Sequence, residues 1–165
     1  MFGHEYECRA GTTPRKVAIT RNAWFDLGRL PLKLPVAIDT EEVWARREGF
    51  FAAEYAPEGY HCWSGRSASL TFALEIEAVA AEYRVTVTGS VLPDRPVQVS
   101  INGHRLGVAD GIWKSNTSFR AVREWLRPGE MNTMTFETAN AGPITGDARE
   151  LGFALMGVRI EAAGQ

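Results

Sequence analysis

Two cysteines in 165 residues are too few for a disulfide framework or a cysteine-rich zinc site. Cys8 and Cys62 allow at most one bridge, which leaves the redox compartment open. Histidine is nearly as scarce. His4, His61 and His104 lack the paired spacing of zinc and iron sites, so no metal centre of that kind is expected. Charge of one sign is missing too. The net charge of −2 comes without the basic stripe of a nucleic-acid binder. No apolar run approaches the roughly 20 residues that span a bilayer, so membrane insertion is not expected. The amino-terminal Met1-Phe2-Gly3-His4-Glu5-Tyr6-Glu7 carries charge where a signal peptide is apolar, which leans towards a cytoplasmic location.

What is present is an ordinary globular balance, 45% apolar and 23% charged. The length fits one domain over 1–165, with no repeat and no linker long enough to divide it. The dominant pattern is alternation. Val97, Val99 and Ile101 alternate with Gln98, Ser100 and Asn102, and Asn102-Gly103 then tolerates the positive φ angles of a tight hairpin turn. Leu70, Phe72, Leu74 and Ile76 form another alternating run, as do Tyr83, Val85 and Val87. Met134 and Phe136 fall in a strand opened by Asn132, after a short turn ending in Pro128-Gly129. In the last run, Glu150 to Glu161, the parity slips at Met156-Gly157, a bulge signal. Alternating strands at this spacing predict an all-β, antiparallel β-sandwich of the jelly-roll kind with one or two short helical turns.

Three stretches read differently. Residues 1–40 are short extended pieces punctuated by Gly28, Pro31 and Pro35. Asp39 to Gly49 is the best helical candidate, with Asp39 and Glu42 resembling a capping box and Gly49 as a stop. Gly49 to Arg66 reads as loop-rich, with a strand or two inside it.

The order of strand, Asn-Gly hairpin, strand, Pro-Gly turn and strand over about 83–140 resembles the later strands of galactose-binding-like jelly rolls. Many of these are carbohydrate-binding or accessory modules. A second resemblance covers 49–160. Gly49-Phe50 with Glu58-Gly59-Tyr60-His61-Cys62-Trp63-Ser64-Gly65-Arg66, and later Asp147-Ala148-Arg149-Glu150-Leu151-Gly152, are similar to landmarks of bacterial sandwich domains that accompany glycosyltransferases and other surface-polysaccharide proteins. The resemblance implies a bacterial accessory domain whose partner is a glycan or a polysaccharide-biosynthesis protein, and it names no sugar.

A sugar site needs a flat aromatic face for ring C–H groups and charged or amide groups for hydroxyls. Glu58, Tyr60, Trp63 and Arg66 supply that chemistry, and Asp147 and Arg149 can join them. Trp113, beside Lys114 and Asn116 in a polar loop, is a further platform. Each has a plainer reading. Trp63 leads into a strand and can be packing, Asp147 and Arg149 can simply pair, and Trp113 can fold over a sheet edge. Trp24, Trp44 and Trp125 read as core residues. No catalytic residue is assigned. Ser64-Gly65 lacks a nucleophile elbow, and His61 and Cys62 are strand neighbours that point to opposite faces. A glycosidase pair would need Glu58 and Asp147 roughly 5–9 Å apart. No cofactor is expected beyond a structural Ca²⁺ at Asp110 or Asp147. The leading expectation is a non-catalytic carbohydrate-binding or accessory module. A docking or oligomerisation sandwich is the alternative, and a glycan hydrolase or esterase comes third.

Overall fold

The computed structural model describes residues 4–10, 13–19, 31–40, 45–57, 59–75, 80–110 and 115–163. Among the described residues, apart from one 3-10 turn at Arg123–Trp125, the regular structure is all strand. The two amino-terminal strands, β1 (His4–Ala10) and β2 (Thr13–Ile19), pair with each other as an antiparallel hairpin.

The sandwich turns on one very long strand. After β3 (Pro31–Lys33), β4 (Val36–Asp39) and β5 (Arg46–Ala56) comes β6 (Gly59–Glu75), 17 residues long. Its first part pairs with β14 (Phe153–Ala162) at Cys62 and Trp63, and from Ser67 to Ala73 it pairs with β11 (Met131–Thr138). Ser64-Gly65-Arg66 lies between the two pairings, so β6 belongs to both sheets. In the first sheet β14 lies beside β7 (Glu82–Val91), which lies beside β10 (Ser115–Val122), and β4 flanks the later half of β14. In the second sheet β11 lies beside β8 (Val97–Ile101), and β9 (His104–Ala109) forms the edge. β5 follows β6, with register shifts on both sides of Phe50 where Gly49 adopts φ +74°. A small hairpin of β12 (Gly142–Ile144) and β13 (Asp147–Leu151) completes the described strands.

The alternation in the sequence becomes one core. Val97, Val99, Ile101, Leu70, Phe72, Leu74, Val85, Val87, Met134 and Phe136 all belong to it, and none is more than 4% exposed. Each such side chain contributes about 1.5–3 kcal/mol by leaving water. Asn102 and Gly103 take φ +48° and +83°, the paired positive angles of a type I′ turn. The Asn102 side chain also anchors that turn. Its Nδ2 donates to Trp125 O and Asn132 Oδ1, both at 2.8 Å, and its Oδ1 accepts from Thr133 N at 2.9 Å. Trp125 packs partly buried against the core and stacks on His104, while Trp24 and Trp44 lie outside the described residues. The expected bulge near Met156 is present as a register shift between Leu155 and Gly157.

Two expectations are overturned. The helix over Asp39 to Gly49 is absent where the chain is described: Val36–Asp39 and Arg46–Ala56 are strands. A capping signal over two turns is a weak local preference, and pairing with β14 and β6 overrides it. The stretch from Gly49 to Arg66 holds the expected two strands, parts of β5 and β6, but they pair as a long hairpin instead of lying in a loop-rich segment. Its parity is hidden because the bulged register shifts which face each residue takes.

Candidate functional site

Hairpin β5–β6 presents different chemistry on its two faces. Tyr55 and Tyr60 are register partners near its tip, with ring centroids 5.2 Å apart at 63°. They are 72% and 50% exposed. Aromatic rings normally withdraw from water, so two held side by side in it form a ledge with uncovered π surface.

Strand alternation sends His61 and Trp63 to the opposite side. Their rings meet edge to face at 5.8 Å and 87°. Trp63 is buried against Leu151 and Ala154, and with His61, Pro57, Ser90 and Met156 it lines a cavity of about 290 Å³. Cys62, between them in sequence, is a buried free thiol. Burial pushes its pKa up, against the opposing pull of Arg47, whose Nη1 lies 3.7 Å from Sγ. A thiol held protonated is a poor nucleophile.

Arg149 of β13 joins this hairpin through charge. Its Nη1 donates to Glu54 Oε1 at 2.5 Å, and its Nη2 donates to Asp147 Oδ2 at 2.6 Å. Nε reaches both Asp147 oxygens at 3.0 Å, and the Arg149 backbone N–H donates to Asp147 Oδ1 at 2.9 Å. The guanidinium lies 5.0 Å over the Phe51 ring, and Phe51 packs against the Trp63 cluster. Arg149 holds the Asp147 carboxyl below its usual range by side-chain and backbone hydrogen bonds. Arg149 itself is pushed up, chiefly by Asp147 and then by Glu54. This is a half-exposed polar clasp between β13 and β5.

The candidate residues thus separate. Tyr60 is on the ledge, Trp63 is a cavity wall, and Asp147 and Arg149 form the clasp. Arg66 is exposed and donates from Nη1 to Ala139 O at 2.9 Å, next to the second sheet. Glu58 and Trp113 lie outside the described residues. Asp147 spends both oxygens on Arg149, which makes it a poor fit for a calcium ligand. Asp110 stands exposed after β9, and no group of three acidic, His or Cys side chains gathers among the described residues.

Comparison with protein-family models and with curated proteins gave no match. Solved structures do match. A family 35 carbohydrate-binding module from Clostridium thermocellum superposes with a TM-score of 0.51 at 15% identity, covering 78% of this chain and 98% of that one. The C-terminal CBM6 of a marine laminarinase from Zobellia galactanivorans gives 0.50 at 10% identity, covering 76% and 98%. A GH26-CBM35 β-(1,4)-mannanase from Podospora anserina gives 0.50 at 15%, over 79% of this chain and 28% of that one. The fold is that of a carbohydrate-binding module.

On this module fold, sequence reasoning missed Phe51, Glu54 and Tyr55. All three lie on β5, after the register shift at Gly49 and Phe50. The available signal was the spacing of Tyr55 and Tyr60 about Pro57 and Gly59, which suits a hairpin connection.

Proposed function

We propose that this chain, read as one domain over 1–165, is a non-catalytic carbohydrate-binding accessory module whose glycan rests on the Tyr55–Tyr60 ledge. The observation that carries this is the exposed tyrosine pair on a carbohydrate-module fold. A pyranose presents C–H groups on its face, and an uncovered aromatic ring is the surface that attracts them while the phenol hydroxyls meet sugar hydroxyls. We assign Glu58, between the two tyrosines in sequence, to sugar hydroxyls as well. Trp63 supports the hairpin from behind, and the Arg149 clasp fixes it. The partner we propose is a polysaccharide-handling enzyme and, more narrowly, a bacterial glycosyltransferase, on the sequence landmarks at 49–66 and 147–152.

Two observations weigh against the other readings. Among the described residues the large apolar side chains left exposed are Tyr55, Tyr60 and Val108, too little surface for a docking patch. A glycosidase nucleophile or base needs a carboxylate oxygen free to meet the sugar or a water, and Asp147 spends both of its oxygens on Arg149. A glycan-array screen tests the proposal. Wild-type protein should bind a defined set of glycans, and Tyr60→Ala should weaken binding at least about tenfold at unchanged melting temperature. No binding, or binding indifferent to Tyr60→Ala, would overturn it.

A further inference from the structure

The bulge in β14 places a side chain that plain alternation would not. Leu155 lies opposite Gly89 and Gly157 opposite Thr88, so Met156 is the extra residue between them. A bulge re-aims the side chain it carries. Met156 lines the cavity behind the β5–β6 hairpin, and a Cβ built at Gly59, beside the hairpin's tip, would lie 3.8 Å from its Cε. Another wall is set by register. Ala154 lies opposite both Trp63 of β6 and Ser90 of β7, so the three side chains form one row. His61 adds a second ring from the same face of β6, and Pro57 lines the end at the hairpin's tip.

This lining selects by polarity and by charge. Pro57, Ala154 and Met156 offer the hydroxyls of a sugar no hydrogen-bond partner, and burying hydroxyls unpaired costs affinity. An aromatic ring instead meets two further rings and a thioether, all of which attract it. A dry apolar cavity of about 150 Å³ already takes benzene. The 290 Å³ here admits one ring with its substituents. Two polar groups remain to meet a substituent, because neither the Trp63 indole N–H nor the His61 imidazole hydrogen-bonds to a described residue. A phenol oxygen accepts from the indole N–H and donates to a neutral imidazole. Glu54, the register partner of His61, shares Arg149 with Asp147, so the clasp sets two carboxylates against one guanidinium. That balance repels an anionic ligand and is indifferent to an uncharged one.

We propose that this cavity binds a small uncharged aromatic molecule, one substituted ring of the phenol kind, held among Trp63, His61 and Met156. The site lies on the other face of the hairpin from the tyrosine ledge and does not depend on the glycan reading.

The test titrates the whole chain, its methionine methyl groups labelled with carbon-13, with 4-methylphenol, benzoate and glucose. In wild-type protein the Met156 methyl resonance should shift saturably with 4-methylphenol, with a Kd of about 1 mM or tighter. Benzoate should bind at least about tenfold more weakly, and glucose should leave the resonance where it was. Met156→Trp fills the cavity and His61→Ala removes one ring with its imidazole. Followed by ligand-observed NMR, each should weaken 4-methylphenol at least about tenfold at an unchanged melting temperature. The double variant Tyr55→Ala/Tyr60→Ala should bind 4-methylphenol as wild type does. A Met156 resonance that does not move, or benzoate or glucose bound as well as 4-methylphenol, would overturn the proposal. Binding lost in the tyrosine variant and kept in both cavity variants would place the ring on the ledge and overturn it as well.

Discussion

Strand β8 alternates buried and half-buried residues without a break, whereas the eleven residues of β5 include none that is buried. Both strands belong to hairpins of one sandwich, and both are held by backbone pairing. β8 lies between β11 and β9, with Val97, Val99 and Ile101 sunk in the core. Among the described strands β5 pairs with β6 alone, and bulges bend it. The difference teaches where a sandwich has room for function. A strand that must fill the core has one face committed, while an outer strand can present Tyr55 on one side and Glu54 on the other. Charges at Arg46, Arg47 and Glu48 and the irregular register also discourage another strand from adding to that edge.

The comparison breaks most readily at Gly49. A Cβ there would collide with Ser67 O at a positive φ of 74°. Gly49→Val should therefore cost about 3 kcal/mol or more, read from urea denaturation. A cost below about 1 kcal/mol would mean the bend in β5 is not set at this residue. Gly103, at the tip of hairpin β8–β9, has open space around its missing Cβ and a φ of 83°. Gly103→Val should carry only the conformational penalty, about 1 kcal/mol or more, and an unchanged midpoint would contradict the type I′ assignment.

A smaller effect belongs to the clasp and depends on pH. The Asp147 pKa is lower in the folded chain than in the unfolded one, so the folded state binds fewer protons. Its contribution is complete above the unfolded value near pH 4 and is lost as pH falls through the folded value. Asp147→Asn should flatten the fall in stability below about pH 4 and lower the melting temperature slightly at neutral pH, less so in high salt. An acid limb identical to wild type would show that the clasp is not populated. The smallest change expected in stability is at the ledge, where Tyr55→Ala should stay within about 0.5 kcal/mol of wild type.

How much of this was legible follows from the same contrast. The ten core residues and the Asn102-Gly103 turn were readable because a face buried on one side writes a two-residue period into the sequence. β5 writes no such period. Gly49 and the shifts around Phe50 reset its parity, and the acids and bases near its start imitate a helix cap. The candidate site was half legible for a related reason. Tyr60 and Trp63 stood out as aromatics among polar residues, but nothing local shows that they take opposite faces, or that Tyr55 is the ring beside Tyr60. The pairing of Asp147 with Arg149 was visible from their spacing. The third member, Glu54, lies 95 positions away and is brought in only by the packing of β13 beside the hairpin.

The measurement that bears most directly on the account pairs binding with melting on one preparation. Wild type and Tyr55→Ala/Tyr60→Ala are screened side by side on a glycan array, and each is melted by circular dichroism. The account predicts that the double variant loses every glycan the wild type retains while its melting temperature stays within a few degrees. The same glycans bound by both proteins, or binding lost only together with the fold, would contradict it.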